Sequence, residues 1–254
     1  MKKTIKLLLT TPLIAYLLVG IFLFIAQDNF IYFPTPKSKG TYKEKIFINE
    51  NESIHVTVLN DGNEKAVIYF GGNAENVDYN ADTFSDIFIS HTIYLVKYRG
   101  YGNSTGEPSE KNFYSDSLFI YDTIKTQHPN ISVIGRSIGS GVATFLASKR
   151  EILKLVLITP FDSVLSVAQE KIPFYPMSLI LSDKYDSIAR VDSIDAQTLV
   201  LTAENDKIIG KKHSDKLVNK FPTSQVTIKV IKNENHNSIS SDKNYYLYLK
   251  EFLH

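Results

Sequence analysis

Cysteine is missing from all 254 positions of this chain. That absence removes disulfide frameworks, thiolate-held zinc or iron–sulfur clusters, and any thiol nucleophile. A dominant charge is missing as well. Lysine plus arginine number 28 and aspartate plus glutamate 27, for a net +1. So small a balance gives no global field to recruit nucleic acid, and no nucleic-acid partner is expected. There is no HExxH, the histidines are scattered, and neither a dinucleotide-type glycine spacing nor a P-loop occurs, so no metal and no cofactor are expected. Internal repeats and low-complexity tracts are likewise absent. What is present suits a folded core, with 43% apolar and 22% charged residues.

No acidic residue precedes Asp28, whereas Lys2, Lys3 and Lys6 do, so residues 27–254 are left with a net charge of −2. From Leu7 to Gln27 there is no charged side chain, and the twenty residues from Leu7 to Ala26 extend roughly 30 Å as a helix, enough to cross a bilayer core. A cleaved signal peptide needs small residues at the third and first positions before the cut. Ala26 has Phe24 two before it and Gly20 has Leu18, which favours an uncleaved signal anchor over residues 1–27. The lysines bias the N-terminus to the cytoplasm and the rest to the non-cytoplasmic side. Pro34, Pro36, Lys37, Ser38, Lys39 and Gly40 then read as a polar joint within a linker over 28–40.

From residue 41 to 254, short β-branched and aromatic runs alternate with helical patterns. Strands are expected over Lys45–Ile48, Ile54–Leu59, Ala66–Phe70, Thr92–Tyr98, Ser132–Ile134, Leu155–Ile158, Thr198–Thr202 and Val226–Val230. Helices are expected near Asn76–Ile89, Ser109–Thr126, Ile138–Lys149, His213–Lys220 and Ser241–Phe252. The first two strands suggest an antiparallel start. The remainder predicts an α/β fold whose mostly parallel central sheet carries helices on both faces. Residues 161–184, with Pro173 and Pro176 among many apolar residues, read as a lid or short cap.

The chemistry concentrates where a strand is followed at once by Gly135-Arg136-Ser137-Ile138-Gly139 and then a helix. This is the nucleophile-elbow pattern, in which a tight strand-to-helix turn exposes the serine and glycines remove β-carbons from the tightest points. A serine hydroxyl needs a base, and the base an orienting acid, in the chain order serine, acid, histidine. That order excludes His55, His91 and His128. His213 opens a helix and His254 ends the chain, so both are expected in solvent, and His236, after the last strand, is the expected base. Asp206, beyond the seventh strand, is the expected acid, with Asp162 its competitor. Asp183, Asp186, Asp192 and Asp195 read as helix caps or a solvated face. The oxyanion of an acyl transfer needs preorganised N–H donors. The backbone of Ile138 is one by position, and that of Asn73, in the loop Gly71-Gly72-Asn73-Ala74-Glu75-Asn76, is the other.

With these residues in view, the chain resembles the α/β-hydrolase superfamily, in particular its membrane-anchored serine aminopeptidase-like or abhydrolase-domain branch with a short cap. Gln27-Asp28-Asn29-Phe30-Ile31-Tyr32-Phe33-Pro34 resembles the segment that follows the anchor in that branch. Tyr69 to Asn76 resembles its oxyanion loop, and Tyr98-Arg99-Gly100-Tyr101-Gly102-Asn103-Ser104 the segment after the next strand. Gly135 to Gly139, Asp206 with Ile208 and Ile209, and His236-Asn237 fall where the family carries nucleophile, acid and base. Gly71 departs from a usual histidine, and Glu204 and Asn235 from common glycines. The resemblance implies a membrane-anchored serine hydrolase acting on an acyl ester, thioester or amide. The apolar segment around Ile172–Leu181 and the anchor favour carboxylesterase-like action on a small acyl or lipid-like substrate. A peptidase of the same fold and a non-catalytic anchored domain that binds a partner are the alternatives.

Overall fold

The computed structural model describes residues 2–37 and 41–254. Ser38, Lys39 and Gly40 of the expected joint lie outside the described residues, as do the side chains of Lys2, Lys3 and Lys6. Eight strands form one sheet: β1 Glu44–Asn49, β2 Glu52–Leu59, β3 Lys65–Phe70, β4 His91–Val96, β5 Asn130–Arg136, β6 Lys154–Ile158, β7 Gln197–Ala203 and β8 Val226–Ile231. Their order is β1-β2-β4-β3-β5-β6-β7-β8. β1 pairs antiparallel with β2, and β2 with β4; every later pairing is parallel. The antiparallel start and the eight strands agree with the sequence pattern.

The sheet is buried on both faces because successive residues of a strand point to opposite sides. Ala66, Ile68 and Phe70 of β3 join one core with Phe113, Ile120, Val142 and Leu146. Val67 and Tyr69, between them, join the other with Phe84, Phe88, Tyr245 and Leu249. The helices that supply these faces are α2 Ala81–Ile87, α3 Glu110–Lys125, α4 Ile138–Lys149, α7 Lys211–Val218 and α8 Lys243–Leu253. Two further short helices, α5 Val164–Lys171 and α6 Met177–Ile180, occupy the segment expected as a cap. The sequence pattern missed both. α5 spans about two turns, too short for an apolar period to stand out, though its start is set by Ser163, whose hydroxyl accepts from the Ser166 N–H at 2.9 Å.

The N-terminal helix α1 runs from Lys2 to Ile31, past the boundary expected after residue 27. No glycine or proline interrupts residues 21–33, and the helical bond from the Tyr32 N–H to the Asp28 carbonyl is still made, at 2.8 Å. Pro34, which disfavours helix in the residue before it, marks the end. The first residues of the expected linker therefore continue the helix and dock on the domain. Tyr32 is buried edge-on against Phe113, its hydroxyl 2.9 Å from that of Tyr185 and bonded to Asp183. Asp183, which also accepts from the Glu110 N–H at 3.0 Å, is thus a structural acceptor at this junction and not part of a solvated face. Met177, Ile180 and Leu181 pack with Leu23 and Ile31, so the segment 161–184 leans on α1.

One buried group predicts an acid sensitivity. His91, at the start of β4, is 1% exposed, and its Nε2 has no hydrogen-bond partner. Burial, together with Lys65, His254 and Lys154, pushes its pKa down to about 4. In the unfolded chain the ring takes up a proton near pH 6.5, whereas in the fold it stays neutral to about pH 4. Stability is therefore expected to fall by about 3 kcal/mol as pH drops through that window. Urea unfolding at a series of pH values checks this; a His91→Leu variant is expected to show a flatter profile between pH 6.5 and 4 than wild type.

Candidate active site

Ser137 stands between the end of β5 and the first turn of α4, with φ 51° and ψ −119°. A non-glycine residue in that region costs about 1–3 kcal/mol and persists only where its surroundings enforce it. The enforcement is visible. Its N–H donates to the Ile158 carbonyl at 2.8 Å. A β-carbon on Gly139 would lie 2.1 Å from the Phe70 carbonyl oxygen, and one on Gly135 would lie 2.3 Å from that of Gly139. Only glycine lets α4 approach the sheet closely enough for this turn.

His236 and Asp206 reach the serine from loops beyond β8 and β7. His236 Nε2 lies 2.9 Å from Ser137 Oγ, and its Nδ1 lies 2.7 Å from Asp206 Oδ2. An ionised carboxylate only accepts, so Nδ1 carries the proton and Nε2 is left to accept from the serine hydroxyl. The other carboxylate oxygen, Oδ1, accepts from the Ile208 and Ile209 N–H groups at 2.9 and 2.8 Å, which fixes the carboxylate plane. The two loops also hold each other. The Asn205 N–H donates to the Glu234 carbonyl at 2.9 Å, and the Asn233 N–H to Glu204 Oε2 at 2.8 Å. Asn235 Oδ1 accepts from the Asn237 and Ser238 N–H groups at 3.0 and 3.2 Å. Glu204 and Asn235, the departures from glycine, thus close the loops with their side chains.

The loop after β3 comes in from the other side. The N–H groups of Asn73 and Ile138 meet no protein acceptor among the described residues; that of Ile138 opens α4, where intrahelical partners are lacking. Glu75 holds the loop. Its Oε2 accepts from the Gly72 N–H at 2.6 Å, and its Oε1 from the Tyr69 hydroxyl and from Asn80 Nδ2, both at 2.7 Å. Tyr98 donates to the Gly71 carbonyl at 2.9 Å. At Gly71 a β-carbon would come within 2.6 Å of Val77 Cγ1, so the space a histidine would need is filled by Val77.

Besides that of Glu75, two side-chain roles in this arrangement escaped the sequence pattern. Arg136, a variable letter of the serine motif, donates from Nη2 to the Asn237 carbonyl at 3.0 Å, and its Nη1 lies 3.7 Å from Glu75 Oε2. It joins the histidine loop to the loop of Asn73. Burial opposes its charge, but Tyr69 and Glu75 more than offset this and raise its pKa further. The second is the side chain of Asn73. Its Oδ1 accepts from the Phe33 N–H at 2.9 Å and the Tyr101 hydroxyl at 2.7 Å, and its Nδ2 donates to the Ile31 carbonyl at 2.5 Å. Nothing local in the sequence signals either partnership.

Asp162, the competing acid, faces elsewhere. Its Oδ1 lies 2.7 Å from His213 Nδ1, and its Oδ2 3.5 Å from Lys216 Nζ. His213 is 2% exposed, not solvated as expected, because α7 turns it under the β6 loop between Asp162 and Glu170. His254 is exposed. Asp186 and Asp195 are exposed, and Asp192 pairs with Lys220 at 2.7 Å. Among the described residues no group of three or more His, Asp or Glu side chains is arranged to hold a metal ion. Ser137, His236 and Asn73 open onto a cavity of about 730 Å³ whose apolar walls include Leu23 and Ile31 of α1 and Val167, Ile172, Met177 and Leu181.

Residues 74–237 match the family model described as "Serine hydrolase (FSH1)". An uncharacterised Mycobacterium tuberculosis protein is 27% identical over 234 residues, which cover 85% of this chain and 83% of its own. A Saccharomyces cerevisiae protein named an uncharacterised membrane protein is 27% identical over 246 residues, 90% of this chain and 85% of its own. The human alpha/beta hydrolase domain-containing protein 17C is 29% identical over 171 residues, 65% of this chain, and this chain spans about half of its length. Among solved structures, the Pyrococcus furiosus esterase Pf2001 superposes with a TM-score of 0.69 at 16% identity, over 87% of this chain and 96% of the esterase.

The two candidate acids predict opposite mutant behaviour. Asp206→Asn is expected to lower kcat/KM on an activated ester by on the order of a thousandfold, because the ring loses the partner that fixes its tautomer. Asp162→Asn is expected to leave kcat/KM unchanged and lower Tm, since its partner is His213. Steady-state kinetics and thermal melts of the two variants check the assignment; a reversed pattern overturns it.

Proposed function

The chain belongs to the serine hydrolase (FSH1) family within the α/β-hydrolase superfamily, and from that premise we propose that it is a membrane-anchored carboxylesterase-like enzyme acting through Ser137, His236 and Asp206. The observation that carries this reading is the unbroken hydrogen-bonded line from Asp206 Oδ2 through His236 to Ser137 Oγ, opening onto the apolar cavity. Ser137 Oγ attacks the acyl carbonyl carbon while His236 Nε2 takes its proton. Asp206 stabilises the imidazolium that forms. The carbonyl oxygen becomes an anion received by the N–H groups of Asn73 and Ile138, an interaction worth about 3 kcal/mol per donor. Collapse of this intermediate expels the alcohol or thiol, which leaves with the proton from His236. Water then repeats the cycle, its proton going to His236, and frees the acid and Ser137.

The walls of the cavity favour an ester or thioester over a peptide. Glu75 and Arg136 are the carboxylate and guanidinium among its lining residues, and each is directed toward the other. No unpaired carboxylate on the described wall stands ready for a substrate amino group, as an aminopeptidase would need. Against the partner-binding alternative, the Glu75 hydrogen bonds hold the loop at Gly71 in place and support the catalytic reading. In this reading α1 is the anchor. Its Thr10–Ile31 stretch has a mean hydropathy of 1.9, and its apolar side chains face outward nearly all round. Residues 41–254 form the hydrolase domain on the non-cytoplasmic side, with residues 161–184 as its cap.

A fluorophosphonate probe is expected to label the wild-type chain and not Ser137→Ala; an adduct retained in the variant overturns the nucleophile. Across graded p-nitrophenyl esters, kcat/KM is expected to rise from acetate towards octanoate, by up to about tenfold for every two methylenes buried. Aminoacyl p-nitroanilides are expected to be poor substrates, and a preference for them would favour the peptidase.

A further inference from the structure

The cap meets α1 deep within the apolar stretch of the helix, not at its end. Tyr16, Gly20, Leu23 and Gln27 form one stripe of the helix at a spacing of three to four residues, and all four touch the cap. Tyr16 stacks on Tyr175 with ring centroids 4.4 Å apart, and Gly20 leaves room for the same ring. Leu23 packs with Met177, Ile180 and Leu181, and Gln27 Oε1 accepts from the Ser182 N–H at 2.7 Å. Asp28 is the first charged residue after the span, and Tyr16 lies twelve residues before it, roughly 18 Å along the helix. That is more than half of a hydrocarbon core about 30 Å thick. If α1 spans the bilayer, whatever packs on Tyr16 lies in the bilayer as well.

The composition and hydrogen bonding of the cap tip fit that position. Ile172 to Leu181 read IPFYPMSLIL, without a charge. Its outward side chains include Phe174 and Leu179, 84% and 78% exposed. Two of its residues, Pro173 and Pro176, have no N–H to satisfy. Every carbonyl from Ile172 to Met177 has a donor within the chain. The two hydrogens of Gln169 Nε2 serve those of Pro173 and Tyr175 at 3.5 and 2.9 Å, and the Tyr175 N–H serves that of Ile172 at 3.4 Å. The Tyr16 hydroxyl serves Phe174 at 2.8 Å, and the N–H groups of Leu179 and Leu181 serve Pro176 and Met177 at 2.9 and 2.8 Å. Gln169 Oε1 in turn accepts from the Met177 N–H at 3.1 Å. A loop in water has no need to pair these carbonyls within the chain, whereas non-helical backbone in lipid does.

We propose that the cap tip, residues 172–181, is a second membrane-immersed element beside α1, and that the cavity between them takes the acyl chain of a lipid directly from the leaflet. The inference rests on the anchor reading above. Its substrate class is a long-chain ester or thioester resident in the bilayer, since Leu23 and Ile31 of α1 and Ile172, Met177 and Leu181 of the cap wall the route to Ser137.

The chain contains no tryptophan, so a single introduced one is an unambiguous reporter. The full-length chain is reconstituted in phosphatidylcholine vesicles with acyl-chain bromines, as Phe174→Trp, as Phe22→Trp on the outward face of α1, and as Tyr79→Trp, 86% exposed and outside both α1 and the cap. Strong quenching at 174 and 22 but not at 79 is the expected result. Quenching at 22 alone overturns the immersed cap and leaves the anchor standing; quenching at neither overturns both. Fluorophosphonate labelling of the same samples reports the hydrolase reading separately. A Phe174→Asp, Leu179→Asp double variant is then expected to lose about tenfold or more of its kcat/KM on a long-chain ester embedded in vesicles. Hydrolysis of a water-soluble butyrate ester is expected to be unchanged, which shows that the variant is folded. Equal turnover of the embedded ester by variant and wild type overturns lateral entry.

Discussion

The close approach of α4 to the end of β3 is the constraint on which the site depends. Gly139 presses against the Phe70 carbonyl with no room for a methyl group. That contact brings the first turn of α4 against the loop that leaves β3, so the unpartnered N–H groups of Ile138 and Asn73 belong to one small volume in front of Ser137. It also forces Ser137 into its positive-φ conformation. A larger residue at 139 would move the helix away from the sheet, and serine, donors and β3 loop would separate together. The strain at Ser137 and the glycines beside it are two sides of one packing requirement.

Around that contact, three loops from distant parts of the chain are held in register by a few buried polar groups. Arg136 is central. It leaves the serine turn, reaches the carbonyl of Asn237 beside the candidate base, and faces Glu75, which accepts four hydrogen-bond or ionic contacts in the loop of Asn73. Removing one partner of such a buried pair leaves an uncompensated charge, which costs far more than the pair contributes. The arrangement therefore fixes relative position more than it adds stability. The Asp162–His213–Glu170 cluster does comparable work outside the site, tying α5 of the cap to α7 and the β6 loop.

All eight strands and the serine turn were legible because they rest on local signals: β-branched runs of period two, and glycines at fixed offsets from a serine. His236 and Asp206, which the fold aligns with Ser137, were picked out by chain order together with their places after the last and the seventh strands. The misreadings have a common cause. His213 looks solvated when judged by its place at a helix start, and Asp183 looks like a surface acid. Both are buried or partly buried through partners more than forty residues away in the chain, Asp162 for one and Tyr32 for the other. The helix runs past residue 27 for a related reason. Charge at Asp28 marks where an apolar span ends, but the helix itself ends only where Tyr32 finds its pocket and Pro34 forbids another turn. Arg136 and Glu75 could have drawn attention only as charges in a segment that the sheet must bury.

Asn73 links the candidate site to α1. One amide side chain accepts from the Phe33 N–H and donates to the Ile31 carbonyl, while its own backbone N–H is the proposed donor to the oxyanion. The end of α1 leaves carbonyls without helical partners, and the loop that faces Ser137 supplies a donor to one of them. A helix serving only as a tether would be joined by a segment free to reorient. Here the last turn of α1 is part of the hydrogen-bonding that sets the position of Asn73, and Leu23, Phe30 and Ile31 are part of the cavity wall. Removing α1 would therefore open the cavity along one side and release the loop at Asn73, so α1 and the candidate active site form one structural unit.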